Sequence, residues 1–194
     1  MKKEHPVWED HLREQYPEIA KIFSPEAPLP RLYMRCTSIP LSVTQVVAGQ
    51  MLSKKAADTI LDRVEVRAKA ENRQPWELEP EVLRELGLSK SKAATITSFG
   101  EYYRNNTAEI EAWPSLKYGE LKKSICTHKG LGEWTASVLA LYHFGFEDVF
   151  PDKDGIIRRA MGLVKEKYGL AIDPAKAKPY RSYLALALWR AVGS

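Results

Sequence analysis

The chain has 194 residues, 44% of them hydrophobic, and a formal net charge of +4. That length accommodates one large domain or two small lobes with a packed core, and the positive balance suits a polyanionic partner. Only two cysteines are present, Cys36 and Cys126, which rules out a four-cysteine iron–sulfur cluster or zinc site built by this chain alone. They read as two reduced thiols. The opening MKKEHPVWED carries no apolar run after its lysines, so no signal peptide is expected. No segment approaches the ~20 consecutive apolar residues of a membrane span.

The pattern is helical throughout, because alternating β-branched runs bounded by turn residues are missing. Trp8, Leu12, Tyr16, Ile19, Ala20 and Phe23 predict a first helix over residues 8–23. Pro25, Pro28 and Pro30 make 24–30 an extended linker, and 31–36 can be extended as well. Ser38 and Pro40 begin a helix with Val43, Val46, Val47 and Gln50 on one face and Gly49 late in its course. Ser53 caps the next, which carries Ala56, Ala57, Ile60, Leu61 and Val64. Pro80 opens a short helix over 81–86 that Gly87 ends. Ser89 caps a helix over 90–103 with a small-residue face of Ala93, Ala94, Ile96, Thr97 and Gly100. Residues 105–107 end it, and Trp113-Pro114-Ser115 is a turn. Residues 118–126 lead into the hairpin Gly130-Leu131-Gly132, followed by a helix over 133–144. Asp154 heads a helix that Gly169 stops after Tyr168, and Asp173-Pro174 begins a last helix running to Val192.

The stretch 121–160 carries the chemistry. Two glycines flanking one apolar residue let the backbone turn tightly and approach another molecule, because no Cβ intervenes. The helix that follows starts with unpaired N–H groups and the positive end of a dipole, which together suit a phosphate. Asp154 then stands at the head of the next helix, near a bound nucleic-acid backbone. Taken alone, Asp154 reads as an N-cap. A calcium loop starting at Asp152 fails, since its fifth and twelfth positions are Ile156 and Leu163 rather than oxygen donors.

GLGEWTA at 130–136, followed by DVFPDKDGIIRRA at 148–160, resembles the helix-hairpin-helix superfamily of DNA glycosylases, closest to its bacterial 3-methyladenine, alkylation-repair branch. VVAGQMLSKKAADTI at 46–60, LGLSKSKAATI at 86–96 and YRSYLALALW at 180–189 extend the likeness over most of 40–189. The resemblance implies an all-α, two-lobed fold with a DNA-binding cleft between the lobes. Residues 1–39 would be an N-terminal helix and linker packing on the second lobe. Residues 40–194 would form the core, with a six-helix lobe over about 40–125 and a hairpin and catalytic region over about 121–194.

The resemblance also implies a monofunctional glycosylase of base excision repair that flips and hydrolytically excises an alkylated purine such as 3-methyladenine. Asp154 is its implied catalytic carboxylate, because the family aspartate directly precedes an apolar-basic stretch, here Gly155-Ile156-Ile157-Arg158-Arg159. A fixed carboxylate stabilises the oxocarbenium-like transition state or aids attack by water. Asp152 competes for the register, and the capping and catalytic roles of Asp154 coexist. Trp134 stands where strand-cutting relatives carry a Schiff-base lysine, and an indole stacks well on an electron-deficient alkylated base. Trp189 and Gln50 match pocket positions, and Met51 matches the wedge that fills the gap left by a flipped nucleotide. Ordinary packing is the alternative for both tryptophans and for Met51. Gly130 and Gly132 with Lys129, Lys123, Lys54 and Lys92 are implied phosphate contacts. His128 and Lys129 replace the apolar residue and proline common before the family's first glycine. The backbone carbonyls of Cys126, His128 and Leu131 match a family site for a monovalent cation. No other cofactor, and no iron–sulfur cluster, is implied. The implied partner is double-stranded DNA with a damaged base, bound by a monomer that is cytoplasmic and, in a bacterium, nucleoid-associated. A bifunctional glycosylase/lyase, using Lys129 or Lys153, and a non-catalytic hairpin module are the alternatives.

Overall fold

The computed structural model of the chain describes residues 6–17, 32 and 38–192. The expected linker over 24–30, residues 18–23 of the first expected helix, and Cys36 lie outside the described residues. Every regular element among the described residues is helical. The chain divides into a central unit, Met34–Phe144, and a second unit made from both ends, Met1–Tyr33 with Gly145–Ser194.

The end unit begins with α1, Val7–Gln15, shorter than the pattern predicts. Pro17 disfavours helical backbone at Tyr16, which takes φ −139° and ends the helix. Trp8 and Leu12 are buried, and the Trp8 ring stacks on Tyr183 with centroids 4.3 Å apart. The Tyr16 hydroxyl donates to the Asp173 carbonyl, and burial pushes its pKa up to about 12. After α9, Gly155–Tyr168, Pro174–Ala177 forms only a 3₁₀ turn. The single last helix expected from Asp173 onward is therefore broken. Pro179 lacks the N–H that an uninterrupted helix needs, and α10, Arg181–Ala191, starts afresh. Residues 182–189 of α10 are buried in succession, as expected for a helix with no polar face.

The central unit runs α2 (Ile39–Gly49), α3 (Lys54–Ala70), α4 (Pro80–Glu85), α5 (Lys90–Asn105), α6 (Thr107–Glu111), α7 (Tyr118–Cys126) and α8 (Glu133–Tyr142). Ser53 and Ser89 cap α3 and α5 by accepting from the amides of Ala56 and Lys92. At the end of α4, Leu88 N–H donates to the Leu83 carbonyl and Gly87 N–H to that of Arg84, with Gly87 at φ +114°. This Schellman arrangement is what the glycine there is needed for. Short α6 has no counterpart in the sequence reading. Tyr102 and Tyr103 of α5 donate to Glu109 and Glu111 and hold that turn in place, which local pattern does not reveal.

Residues 135–141 of α8 are buried without interruption, and the helix packs on both α2 and α7. Those contacts assign 121–144 to the central unit, whereas the sequence reading groups this stretch with 145–194. Helix α8 stops at Tyr142, two residues short of expectation. His143 leaves the helix with its Nδ1 2.5 Å from the Ser42 hydroxyl, and Gly145 follows at φ +68°.

Candidate functional site

In the central unit, the hairpin joins α7 to α8. Gly130 has φ +87°, and a Cβ placed on it would lie 2.0 Å from Thr95 Oγ1. Glycine is thus required twice over, for its backbone angle and for the approach of α5. The Leu131 amide donates to the His128 carbonyl at 3.0 Å, which closes the turn, and the Leu131 side chain is buried. Gly132 begins α8 and gives no side-chain cap, so the first amides of α8 rely on other partners. These amides and the positive end of the α8 dipole suit an anion.

His128 sits in an aromatic setting, with the rings of Tyr102 and Phe99 at 4.6 and 5.2 Å between centroids and that of Trp113 at 5.8 Å. Burial lowers its pKa. Lys129 and Lys123 are exposed beside the hairpin. Lys122 is paired with Glu133 across it at 3.2 Å, and that bond raises the lysine pKa. The carbonyls of Cys126, His128 and Leu131 belong to the end of α7 and the turn after it. Neutral carbonyl oxygens at a helix C-terminus, where the dipole is negative, suit a hard cation of low charge.

A second feature of the central unit is the turn between α2 and α3. Met51 has a left-handed backbone, φ +57°, and is 100% exposed. For a non-glycine residue that conformation costs roughly 1–2 kcal/mol. A fully exposed large apolar side chain on such a backbone has no packing role to explain it. Gln50 caps α2 and its amide donates to Thr135 Oγ1 of α8 at 3.1 Å. Trp134, next to Thr135, is half-buried in the first turn of α8. Lys92 does not face outward with the other lysines: its ammonium donates to the carbonyls of Ala48 and Gln50 at 2.9 and 2.6 Å, and burial lowers its pKa. Lys54 is exposed and paired with Asp58 at 2.5 Å.

In the end unit, Asp154 is 5% exposed and caps α9, its carboxylate accepting from the Ile157 amide at 2.9 Å. Asp152, two residues earlier, is exposed. The loop leading to Asp154 is tied to the start of α10. The Ser182 hydroxyl donates to the Phe146 carbonyl and accepts from the Val149 amide, and Arg181 pairs with Asp148 at 2.6 Å. Trp189, 9% exposed, lies in the buried face of α10. Thr135, Thr95, Arg181 and Ser182 escape the sequence reading. Each acts through a partner that is distant in sequence, and no local motif marks it.

No protein-family model matches the chain. The chain is 25% identical over 209 aligned positions to Bacillus subtilis YfjP, provisionally named a DNA-3-methyladenine glycosylase, covering 95% of this chain and 71% of that protein. It is 26% identical over 157 positions to DNA-3-methyladenine glycosylase 1 of Schizosaccharomyces pombe, covering 75% of this chain and 69% of the yeast protein. In fold it is similar to the solved structure of the Schizosaccharomyces pombe 3-methyladenine DNA glycosylase Mag1 in complex with abasic DNA. The TM-score is 0.76 at 23% identity, over 95% of this chain and 96% of that one.

Proposed function

We infer that the chain is a helix-hairpin-helix DNA glycosylase, a monofunctional enzyme of base excision repair that flips an alkylated purine and hydrolyses its glycosidic bond, a reading supported by its similarity to two DNA-3-methyladenine glycosylases. The observation that carries this reading is the buried Asp154 carboxylate, held at the head of α9 by the Ile157 amide, while Asp152 is exposed. A carboxylate fixed in place opposes the positive charge that builds on the sugar as the C1′–N bond breaks, and directs a water to the same carbon. Trp134 supports hydrolysis over strand cutting. It occupies the position where lyase relatives carry the amine that forms a Schiff base, and an indole forms none.

The substrate is double-stranded DNA held by its phosphates at the glycine hairpin, through the amides of Gly130 and of the start of α8, with Lys123 and Lys129 adding positive charge. Trp134 stacks on the flipped base, with Gln50 beside it, and Met51 takes the place the base leaves. Trp189 is read as a pocket residue of the end unit. A monovalent cation would be held by the carbonyls of Cys126, His128 and Leu131, and when bound would add positive charge next to the phosphate. No redox or catalytic metal group is needed for hydrolysis. The protein acts as a monomer in the cytoplasm, where DNA is its partner. No helix among the described residues is long and apolar enough to cross a membrane.

Release of free base from a panel of oligonucleotides containing 3-methyladenine, 7-methylguanine, hypoxanthine and uracil tests the reading. Release of alkylated purines, with no borohydride-trapped adduct, is the expected result. A trapped adduct on damaged DNA points to the lyase mechanism instead. Binding without release of any base reduces the protein to a hairpin module.

A further inference from the structure

Lys92 stands in the cluster of lysines that a glycosylase would turn toward phosphate, yet its ammonium points into the protein. The last carbonyls of α2 have no N–H donors of their own helix left to accept from. Two of them, on Ala48 and Gln50, are taken by Lys92 Nζ from α5. A cation at the negative end of a helix dipole adds to the hold. From the other side, Thr135 of α8 accepts the Gln50 side-chain amide. Beyond this doubly held residue comes Met51, left-handed in backbone and fully exposed in side chain. Nothing packs on Met51, so its neighbours must set the shape of the turn.

We infer that Lys92 is a positioning residue, which caps α2 and so holds the Gln50-Met51 turn in the shape that presents Met51 as the wedge beside a flipped nucleotide. The purpose of the wedge rests on the glycosylase reading above; the clamp rests on the geometry of the central unit. A lysine that directs two of its three donors to carbonyls inside the protein contributes little to phosphate binding. Lys92 therefore differs in kind from Lys123 and Lys129, which are exposed.

Lys92→Met keeps the aliphatic stem and removes the donors, whereas Lys92→Arg keeps charge and donors. In the free protein, exchange of the Leu52 amide, which donates to the Gly49 carbonyl across this turn, should quicken by about tenfold or more in Lys92→Met, with the interior of α5 unchanged, because a local opening becomes easier. Lys92→Arg should lie closer to wild type. Single-turnover excision from paired duplex should fall at least about tenfold, since a misplacement of about 1 Å away from the chemistry can cost ~10²-fold. Excision from a single-stranded lesion, where no stack needs filling, should stay near wild type. Adding Met51→Ala to Lys92→Met should cost nothing beyond the larger single loss, because both act through one wedge. The salt dependence of binding to undamaged duplex should not change.

Three results overturn the inference: unchanged exchange of the Leu52 amide, losses that multiply in the double variant, or a salt slope reduced by about 0.9, the mark of one lost phosphate contact. If Lys92→Met does not fold, Lys92→Gln, which retains one amide donor group, carries the same comparisons. If the wild-type protein excises no damaged base, the glycosylase reading fails while the exchange measurement still decides the clamp.

Discussion

The Asp154 carboxylate accepts the amide hydrogen of Ile157 at 2.9 Å, so one side chain both opens α9 and supplies the carboxylate of the proposed chemistry. The two roles separate on Asp154→Asn. Asparagine caps about as well as aspartate, so unfolding free energy should shift by at most ~1 kcal/mol. Base release should fall by at least ~100-fold, on the scale of losing one electrostatic stabiliser from an active site. Binding to damaged DNA should persist. Asp152→Asn is the control: its backbone carbonyl, not its side chain, accepts from Arg158, so that bond survives. Near wild-type release by Asp154→Asn, measured on a substrate the parent cleaves, would remove Asp154 from the mechanism.

Trp134→Ala should weaken base release through lost stacking, which is worth roughly 1–3 kcal/mol per base, or about 5- to 150-fold. Affinity for undamaged duplex should scarcely move, because no flipped base is stacked there. Equal release by variant and parent would leave Trp134 a packing residue only.

Affinity for undamaged duplex should fall steeply with salt. Roughly three to five neutralised phosphates give a log–log slope of about −3 to −4.5. Lys129→Gln and Lys123→Gln should each lower the magnitude of that slope by up to about 0.9. A slope near zero in a fluorescence-anisotropy titration contradicts phosphate binding by the hairpin.

Gly130→Ala places a methyl group 2.0 Å from Thr95 Oγ1 on a backbone at φ +87°. Strain of this kind costs on the order of 1–3 kcal/mol, and urea unfolding should show it. Thr95→Ala in the same chain should recover part of the loss by removing the hydroxyl and a methyl group. Full stability of Gly130→Ala would mean that the hairpin does not pack on α5.

Acid should destabilise the central unit before its carboxylates titrate. Burial, the dominant influence, lowers the His143 pKa, with Glu111 opposing it, and Nδ1 meets the Ser42 hydroxyl at 2.5 Å. The folded state therefore binds the proton less readily than the unfolded chain, whose histidine titrates near ~6.5. The stability this contributes is present above about pH 6.5 and is lost as pH falls toward the folded pKa, with a slope of up to about 1.4 kcal/mol per pH unit for one proton. Urea unfolding between pH 5 and 7 should show the slope, and His143→Gln should reduce it while lowering stability at pH 7, the remainder coming from His128, whose pKa burial also lowers. An identical slope in that variant would assign the effect to another group.

Much of this molecule was decided by local chemistry and is therefore legible in the order of its residues. Ser53, Ser89 and Asp154 cap the helices they precede, and Gly87 and Gly169 follow the ends of α4 and α9, because caps and left-handed turns depend on a few adjacent residues. The same locality makes the glycine hairpin and the aspartate at the head of α9 readable without a structure. Tertiary structure decided what no window of adjacent residues contains. It turned Lys92 inward to α2, set Gln50 against Thr135, buried Asp154 and exposed Asp152, and latched α6 through tyrosines of α5. A lysine looks the same in sequence whether it meets water, a phosphate or the end of another helix. Only the carbonyls brought to it by residues more than forty positions away determine which.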